Sequence, residues 1–486
     1  MNKAIFQFAA SSIHFATSLE ILREETKFGH EIYYNLWSAR TKYPGRMSVD
    51  FEGAWGKPPR WTRRIVKKAG STAVYSSRMT IDNVWVENSL TQFKFRIQDI
   101  QTIAQLRQIE FAGIRPGAAL VNELTTLTKN RNFSPRENLR LIVLLTESYL
   151  QVYIAAVRFI NIHDIREVHL FNGRFLHERA VWDAAKSLGV QVILFETTRN
   201  RYFQRKEGFH DRINNQKVML AHWENSDLTK EQRVDVGSEY FAQLRSKANP
   251  FHTLHKPSID ITRPYFLYFS SSDDEMAGLW DEDPKSLGDQ ISCVRKLQLL
   301  FDAQSTYQLI IRIHPNLLNK SLEQQLAWAE IRESNSTKIC GPGEEISSYS
   351  LLDNAIGSIS FGSTVGLESA FALKPSLVLT ECGYDLLGVV DIAETWEDVS
   401  NWLKFGHQLT PAQLSDRKTN SCIRGFFLAT GGRTLENTHL VEIGWGAWVA
   451  RSFDEVKLPD GLFSRIYHKV VSKVKFLRVL RYLNHG

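Results

Sequence analysis

"SFGSTVGLESAFALKPSLVL", residues 360–379, sets two glycines, small hydroxyl residues and one glutamate between two apolar stretches. Gly362-Ser363-Thr364 is too polar for a strand and too short for a linker. Leu367 to Leu373 has helical character, Lys374-Pro375 breaks it, and the apolar run resumes at Ser376. The pattern is strand, small-residue loop, short helix, strand. Glycine lets backbone approach a ligand closely, and a helix N-terminus carries partial positive charge, so this arrangement suits an anion.

The same alternation recurs along the chain. "AIFQFAA" reads as a strand, "HFATSLEILREETKFG" as an amphipathic helix and "HEIYYNLW" as a second strand. Residues 166–195 repeat the theme, and so do "YFLYFSSS", a helix over about 288–302, and "YQLIIRIHP". Strand, helix and strand at this spacing form parallel βαβ units. The proline-rich "KANPFHTLHKPSIDITRP" interrupts them. The fold class expected is α/β: two Rossmann-like domains facing a cleft, over 1–250 and 264–435, joined by a linker at 251–263. A helical basic tail is expected over 436–486. Ligands of such sheets sit outside the carboxyl ends of the strands.

With 486 residues, 43% of them hydrophobic, the chain has enough material for two cores. A net charge of +6 permits an anionic ligand or membrane surface, but no repeated basic-aromatic pattern points to nucleic acid, and none is expected as a partner. The four cysteines form no CxxC pair, which argues against a disulfide framework or zinc site and for a reducing compartment. The N-terminus makes a poor signal peptide, because Gln7, Ser11 and Ser12 break its apolar run. "LIVLLTESYLQVYIAAV" carries Glu147 and reads as a buried helix rather than a membrane span. A cytoplasmic protein is expected.

Three strand-end stretches carry chemistry in the second half. Ser270, Ser271 and Ser272 offer hydroxyls and backbone N–H groups, Arg312 and His314 share one strand face before Pro315, and Gly362-Ser363-Thr364 opens a helix. Any one of them is ordinary turn or cap chemistry; together they point to a nucleotide site. In the first half, Arg174, His177 and Glu178 follow "EVHLFN" and Glu196 follows "VQVILF". These are the groups available to activate an acceptor hydroxyl. Glu178 competes with an i,i+4 ion pair to Arg174, so Glu196 ranks first as base. Asp281-Glu282-Asp283 has the spacing of a divalent-ion motif but reads as a solvated acidic loop, and "PPRWTRRIVKKAG" as a charged surface. No metal and no cofactor are expected.

"RIHPN" and the stretch from "GPGEEISSYSLL" to "SLVL" resemble the donor domain of GT-B-type glycosyltransferases. The resemblance is to bacterial capsule and lipopolysaccharide synthesis proteins similar to Kdo- and sialyltransferases, and it covers about 264–380. It implies that Arg312, His314 and Pro315 form the HP motif, with Ser363, Thr364 and Glu368 in a second nucleotide-binding motif. Ser271 and Ser272 match the serine loop opening the domain, while Ser348 and Tyr349 flank the nucleotide. The glutamine-proline motif of some Kdo transferases is absent. Nucleotide-sugar 2-epimerases and teichoic acid glycerophosphotransferases have related sites. The implied activity is metal-independent transfer of a sugar from a CMP- or UDP-linked donor to a surface polysaccharide or lipid-linked glycan. The alternatives are a 2-epimerase and a non-catalytic nucleotide-sugar-binding component of a synthesis complex.

The tail "LFSRIYHKVVSKVKFLRVLRYLNHG" places Phe463, Ile466, Tyr467 and Val470 on one helical face, with Arg465, His468 and Lys469 largely on the other. Such a helix either packs back on the N-terminal domain or lies in a membrane interface with its cations at anionic headgroups, which also accounts for its unbalanced basic residues. Peripheral attachment to the inner face of the cytoplasmic membrane is therefore expected.

Overall fold

The computed structural model describes residues 1–8, 13–36, 66–76, 82–128, 130–198, 201–206, 212–247, 261–272, 287–304, 306–320, 322–344, 346–436 and short strands within 440–457. Within these residues the chain forms two compact units.

The first unit is built on β1 (Asn2–Gln7), β2 (Glu31–Leu36), β3 (Ala73–Ser76), β4 (Glu167–Phe171), β5 (Gln191–Thr198) and β6 (Arg201–Arg205). Their order is β6-β5-β4-β1-β2-β3, parallel except for β6, which runs antiparallel to β5. The Ile13–Lys27 helix puts Phe15, Leu19 and Leu22 on one face and packs them over Ile5, Ile32 and Tyr34. That is the βαβ unit read from the sequence. Strand order reverses between β1 and β4, whose carboxyl ends therefore flank the switch point of this sheet.

Beneath the same helix lies a closed ion network. Lys3 Nζ is 2.7 Å from Glu25 and 2.6 Å from Glu167, and His169 Nε2 lies 3.0 Å from Glu167. Burial favours protonation of Glu167, yet hydrogen bonds from His169 and Lys3 hold it down at about 2. Glu25, Glu167 and His169 are grouped closely enough for one metal ion, but the Lys3 ammonium already supplies the positive charge there. The Leu139–Ile162 helix has a mean hydropathy of 1.4 over its most apolar window, half of which is buried. Among the described residues, no other helix is long and apolar enough to cross a membrane. It packs along the Leu176–Ser187 helix, where Tyr149 donates to Asp183 at 2.5 Å.

The second unit contains β7 (Tyr265–Phe269), β8 (Gln308–Arg312), β9 (Thr337–Cys340), β10 (Gly357–Ser360), β11 (Ser376–Val378) and β12 (Asp391–Ile392). All are parallel, in the order β12-β11-β10-β7-β8-β9. β7 and β8 are buried throughout, with Phe266, Tyr268, Leu309 and Ile311 on one face and Tyr265, Leu267, Phe269 and Ile310 on the other. A sheet covered on both faces carries apolar residues at successive positions, as "YFLYF" and "QLIIR" do. The switch point lies between β7 and β10. The opening stretch folds as read: β10, a loop, the Val365–Phe371 helix, then β11.

The units divide the chain differently from the boundary at 250. The Arg212–Glu224 and Lys230–Lys247 helices cluster with the second unit, as do residues 125–132, while the chain from 432 returns to the first. The physical reason is a close helix crossing. A Cβ on Gly237 would lie 2.5 Å from the carbonyl oxygen of Cys422, and one on Gly425 would lie 2.5 Å from that of Gly237. Only glycine at both positions lets Lys230–Lys247 pack this tightly on Pro411–Thr430. On return, β13 (Arg433–Thr434) pairs antiparallel with β6.

The tail is not helical throughout: β14 (Leu440–Ile443) pairs antiparallel with β15 (Ala447–Ala450), and β16 (Ser452–Phe453) with β17 (Val456–Lys457). Val441 faces Val449, and β-branched residues of this kind favour strands. The acidic loop at 281–283, residues 251–260 of the linker, Arg60 to Arg64 and the amphipathic stretch 462–486 lie outside the described residues.

Candidate nucleotide-binding site

At the carboxyl ends of the second sheet, the three stretches singled out in the sequence meet. Ser270 N donates to Arg312 O at 3.2 Å, and Ser270 Oγ accepts from His314 N at 2.7 Å, locking the end of β7 to that of β8. Ser271 reaches the other way, its Oγ donating to Phe361 O at 2.5 Å across the switch point. Lys320 Nζ donates to Ser272 Oγ at 2.5 Å.

His314 ends in a defined orientation. Its Nδ1 accepts from Asn316 N at 3.1 Å, capping the 3-10 turn Pro315–Asn319 that Pro315 begins. In the neutral ring this leaves the proton on Nε2. Arg312 is used differently. Its guanidinium is buried and donates to Gly341 O at 2.5 Å and Glu344 O at 3.2 Å, bracing the turn after β9. It supports the site through the strand end rather than by facing His314's neighbours.

Gly362 adopts φ +76°, a left-handed conformation that suits glycine and turns the chain from Phe361 into Ser363 and Thr364. The tyrosine hydroxyl of Tyr384 donates to Ser363 O, and a Cβ at Gly366 would meet that hydroxyl at 2.5 Å. Gly366 is thus required by packing, while Ser363 stays half-buried and Thr364 exposed. Glu368 accepts from the Tyr349 hydroxyl, tying the Val365–Phe371 helix to the Ser348–Asn354 helix. Burial raises its pKa against the lowering effect of Tyr349, Arg424 and Arg245. Arg245 lies over the Tyr349 ring at 5.0 Å. Ser348, half-buried, opens a helix capped by Ser347.

Behind the loop lies a network that the sequence did not announce. Asp385 accepts from Arg212 at 2.5 Å, from Gln216 at 2.8 Å and from Cys382 N at 3.0 Å, and Arg212 also pairs with Glu381 at 3.0 Å. It fixes the turn after β11 that presents Tyr384 to Ser363. At the ends of β7 and β8 opens a cavity of about 340 Å³ lined by Arg131, Ser271, Gln290, His314, Lys320 and Trp328 among others. That is within the size range of small-ligand pockets.

In the first unit, the switch point gathers the other candidates. After β4 the chain turns through Asn172 (φ +24°) and Gly173 (φ +74°), and Asn172 Oδ1 accepts from Arg174 N at 3.0 Å. The Arg174 guanidinium lies over the Phe175 ring at 5.3 Å. His177 is buried, its ring 5.6 Å from that of Phe8 at the end of β1. Glu178 is buried too, and burial with the nearby Glu123 carboxylate pushes it up to about 8. It therefore carries a proton at neutral pH and offers no charge to Arg174. Glu196 is half-buried near the end of β5, opposite Phe203 of β6.

His14 was not foreseen. Its ring lies tilted against that of Phe171 with centroids 3.6 Å apart, and burial pushes it down to about 4, with Glu196 acting upward and Arg174 downward. It is a neutral base set electrostatically between two residues that the sequence had selected. Its position in the first helical turn after β1 was the available signal.

No family model matches the chain, and no curated protein matches it. Among solved structures it is similar to the KpsC beta Kdo 2,4 transferase of Thermosulfurimonas dismutans, at 11% identity over 53% of this chain and 79% of that one, with a TM-score of 0.34. It is also similar to the UDP-GlcNAc 2-epimerase of Neisseria meningitidis bound to UDP-GlcNAc, at 10% identity over 87% and 97% of the chains and a TM-score of 0.30. The calicheamicin glycosyltransferase CalG4 matches at 11% identity over 89% and 95%, with a TM-score of 0.28. Likeness at this level carries no argument about this chain. The two Rossmann-like units rest on their own strand order.

Proposed function

We propose that this protein is a glycosyltransferase of the GT-B class, moving a sugar from a nucleotide-activated donor to a surface polysaccharide or lipid-linked glycan. The observation that carries the reading is the convergence of Ser270–Ser272, His314 and the Gly362–Thr364 loop at the switch point of an all-parallel sheet. Hydroxyls, backbone N–H groups and an imidazole gathered there suit the phosphates of a nucleotide.

In this reading the second unit binds the donor and the first unit supplies acceptor chemistry through Glu196, with His14 as its neutral neighbour. Positive charge for the leaving nucleotide comes from side chains, without a metal ion. The donor is CMP- or UDP-linked. The protein works on the cytoplasmic side of the membrane, held there by the basic tail. Vesicle co-sedimentation of the full chain and of one ending before Leu462 tests that attachment; equal binding by both removes the tail as anchor.

The activity is tested by incubating the full chain with candidate nucleotide sugars and following nucleotide release with and without glycan. Release that depends on acceptor supports transfer. A changed free nucleotide sugar means epimerisation, and binding without turnover means a carrier role.

A further inference from the structure

The cavity beside His314 is lined in part by Asn130, Arg131 and Asn132, from far away in the chain. Residues 125–132 cluster with the second unit although the chain on either side belongs to the first. Thr128 ends the Gly117–Thr128 helix, and its side chain braces the residues that follow. Thr128 Oγ1 donates to Asn130 O at 3.0 Å, and Asn130 Oδ1 accepts from Asn132 N at 2.8 Å. From this segment Arg131 places its guanidinium 5.6 Å from the centre of the Phe361 ring and lines the cavity.

Phe361 is the residue whose carbonyl takes the Ser271 hydroxyl and which leads into Gly362. Arg131 thus sits where the serine loop and the glycine loop meet. Among the described residues no carboxylate pairs with it. Of the acids lining the cavity, Glu330 pairs with Arg295 at 2.7 Å, Asp289 caps the Gln290–Asp302 helix, accepting from Ser292 N at 2.9 Å, and Glu323 is exposed.

The ligand groups at the switch point are hydroxyls, backbone N–H groups and the His314 ring, with the Lys320 ammonium donating to Ser272 Oγ at the cavity wall. Each phosphate of a nucleotide is an anion, and one ammonium offers no paired, planar donors to it. A planar guanidinium gives two parallel N–H donors to phosphate oxygens and stays ionised at any working pH.

We propose that Arg131 is a donor-binding residue: its guanidinium, held over Phe361 at the cavity, binds the phosphate of the nucleotide. The proposal rests on the nucleotide-sugar reading and adds to it a residue from the first third of the chain. It also adds a guanidinium to the Lys320 ammonium at the cavity.

Isothermal titration of the full chain with CMP, UMP and UDP, and by competition with cytidine and uridine, tests it in wild type, Arg131→Ala and Arg131→Lys. Loss of a charge-assisted hydrogen-bond pair weakens nucleotide binding at least about tenfold in Arg131→Ala. The nucleoside, which has no phosphate, binds the variant and wild type alike, and Arg131→Lys recovers part of the loss. Melting temperatures confirm that the variants are folded, and Arg131→Gln replaces Arg131→Ala if the alanine variant is not. Equal nucleotide affinity in wild type and the alanine or glutamine variant overturns the proposal and leaves the proposed function standing. An equal loss for nucleoside and nucleotide also overturns it, since that assigns Arg131 a packing role over Phe361. Failure of wild type to bind any nucleotide overturns the proposed function and this inference together.

Discussion

The hydroxyl of Ser271 donates to the carbonyl of Phe361 at 2.5 Å, joining the carboxyl end of β7 to that of β10 across the point where strand order reverses. This one bond brings the serine loop to the glycine loop. The expectations for the site grow from it.

Ser363 and Thr364 lead into the Val365–Phe371 helix, Ser363 half-buried and Thr364 exposed. Hydrogen bonds to a charged group contribute about 1.5–3 kcal/mol each. Replacing both residues with alanine lowers donor affinity at least about tenfold while the melting curve stays cooperative. Titration calorimetry checks this, and an unchanged dissociation constant removes the loop from the site.

In the proposed function His314 binds the donor, its ring oriented by Nδ1 accepting from Asn316 N. His314→Ala therefore weakens donor binding at least as much as it lowers turnover at saturation. A collapse of turnover with affinity intact makes it a catalytic residue instead.

Glu196 is the proposed base, and a positioned base contributes about 10²–10⁴-fold to turnover. Glu196→Gln keeps the size of the side chain, so donor binding persists while transfer is lost. Near-normal transfer by this variant rules it out. Glu178 is not an equal substitute, since its carboxyl holds its proton up to about pH 8.

That raised value has a consequence for stability. Burial and Glu123 favour protonated Glu178 in the folded chain, whereas unfolding returns it toward 4.5. A folded pKa above the unfolded one gives stability that is complete below about 4.5 and is lost as pH rises toward about 8. From this group the slope reaches about 1.4 kcal/mol per pH unit. Glu178→Gln removes the ionisation, so relative to wild type it gains thermal stability from pH 5 to pH 8.5. Thermal unfolding across that range checks the sign; a variant that falls further behind wild type as pH rises contradicts it.

Much of this was legible in the sequence because strands, loops and helices announce themselves locally. "YFLYF" followed by three serines, and "GST" before a helix, fix both a sheet edge and its hydroxyls within a few residues. What escaped depends on contacts between distant positions. The unit boundary follows from Gly237 meeting Gly425, which no composition shift marks. Arg312 turned out to brace Gly341 and Glu344, because strand spacing gives a face but not a hydrogen-bond partner. Glu368 found Tyr349, and Tyr384 found Ser363, through turns whose geometry is set by the Arg212–Asp385 network. Nothing local in the sequence marks Arg131, whose segment clusters with the second unit only in the fold.

The most direct test of the central claim is thermal unfolding of the full chain in the presence of CMP, UMP, UDP and GDP. A nucleotide present at 100 times its dissociation constant stabilises the native state by about 2.7 kcal/mol. The account predicts that at least one of the four raises the melting temperature, and that the rise is lost when Ser363 and Thr364 are both alanine. If none of the four shifts the transition of wild type at millimolar concentration, the carboxyl ends of the second sheet are not a nucleotide site.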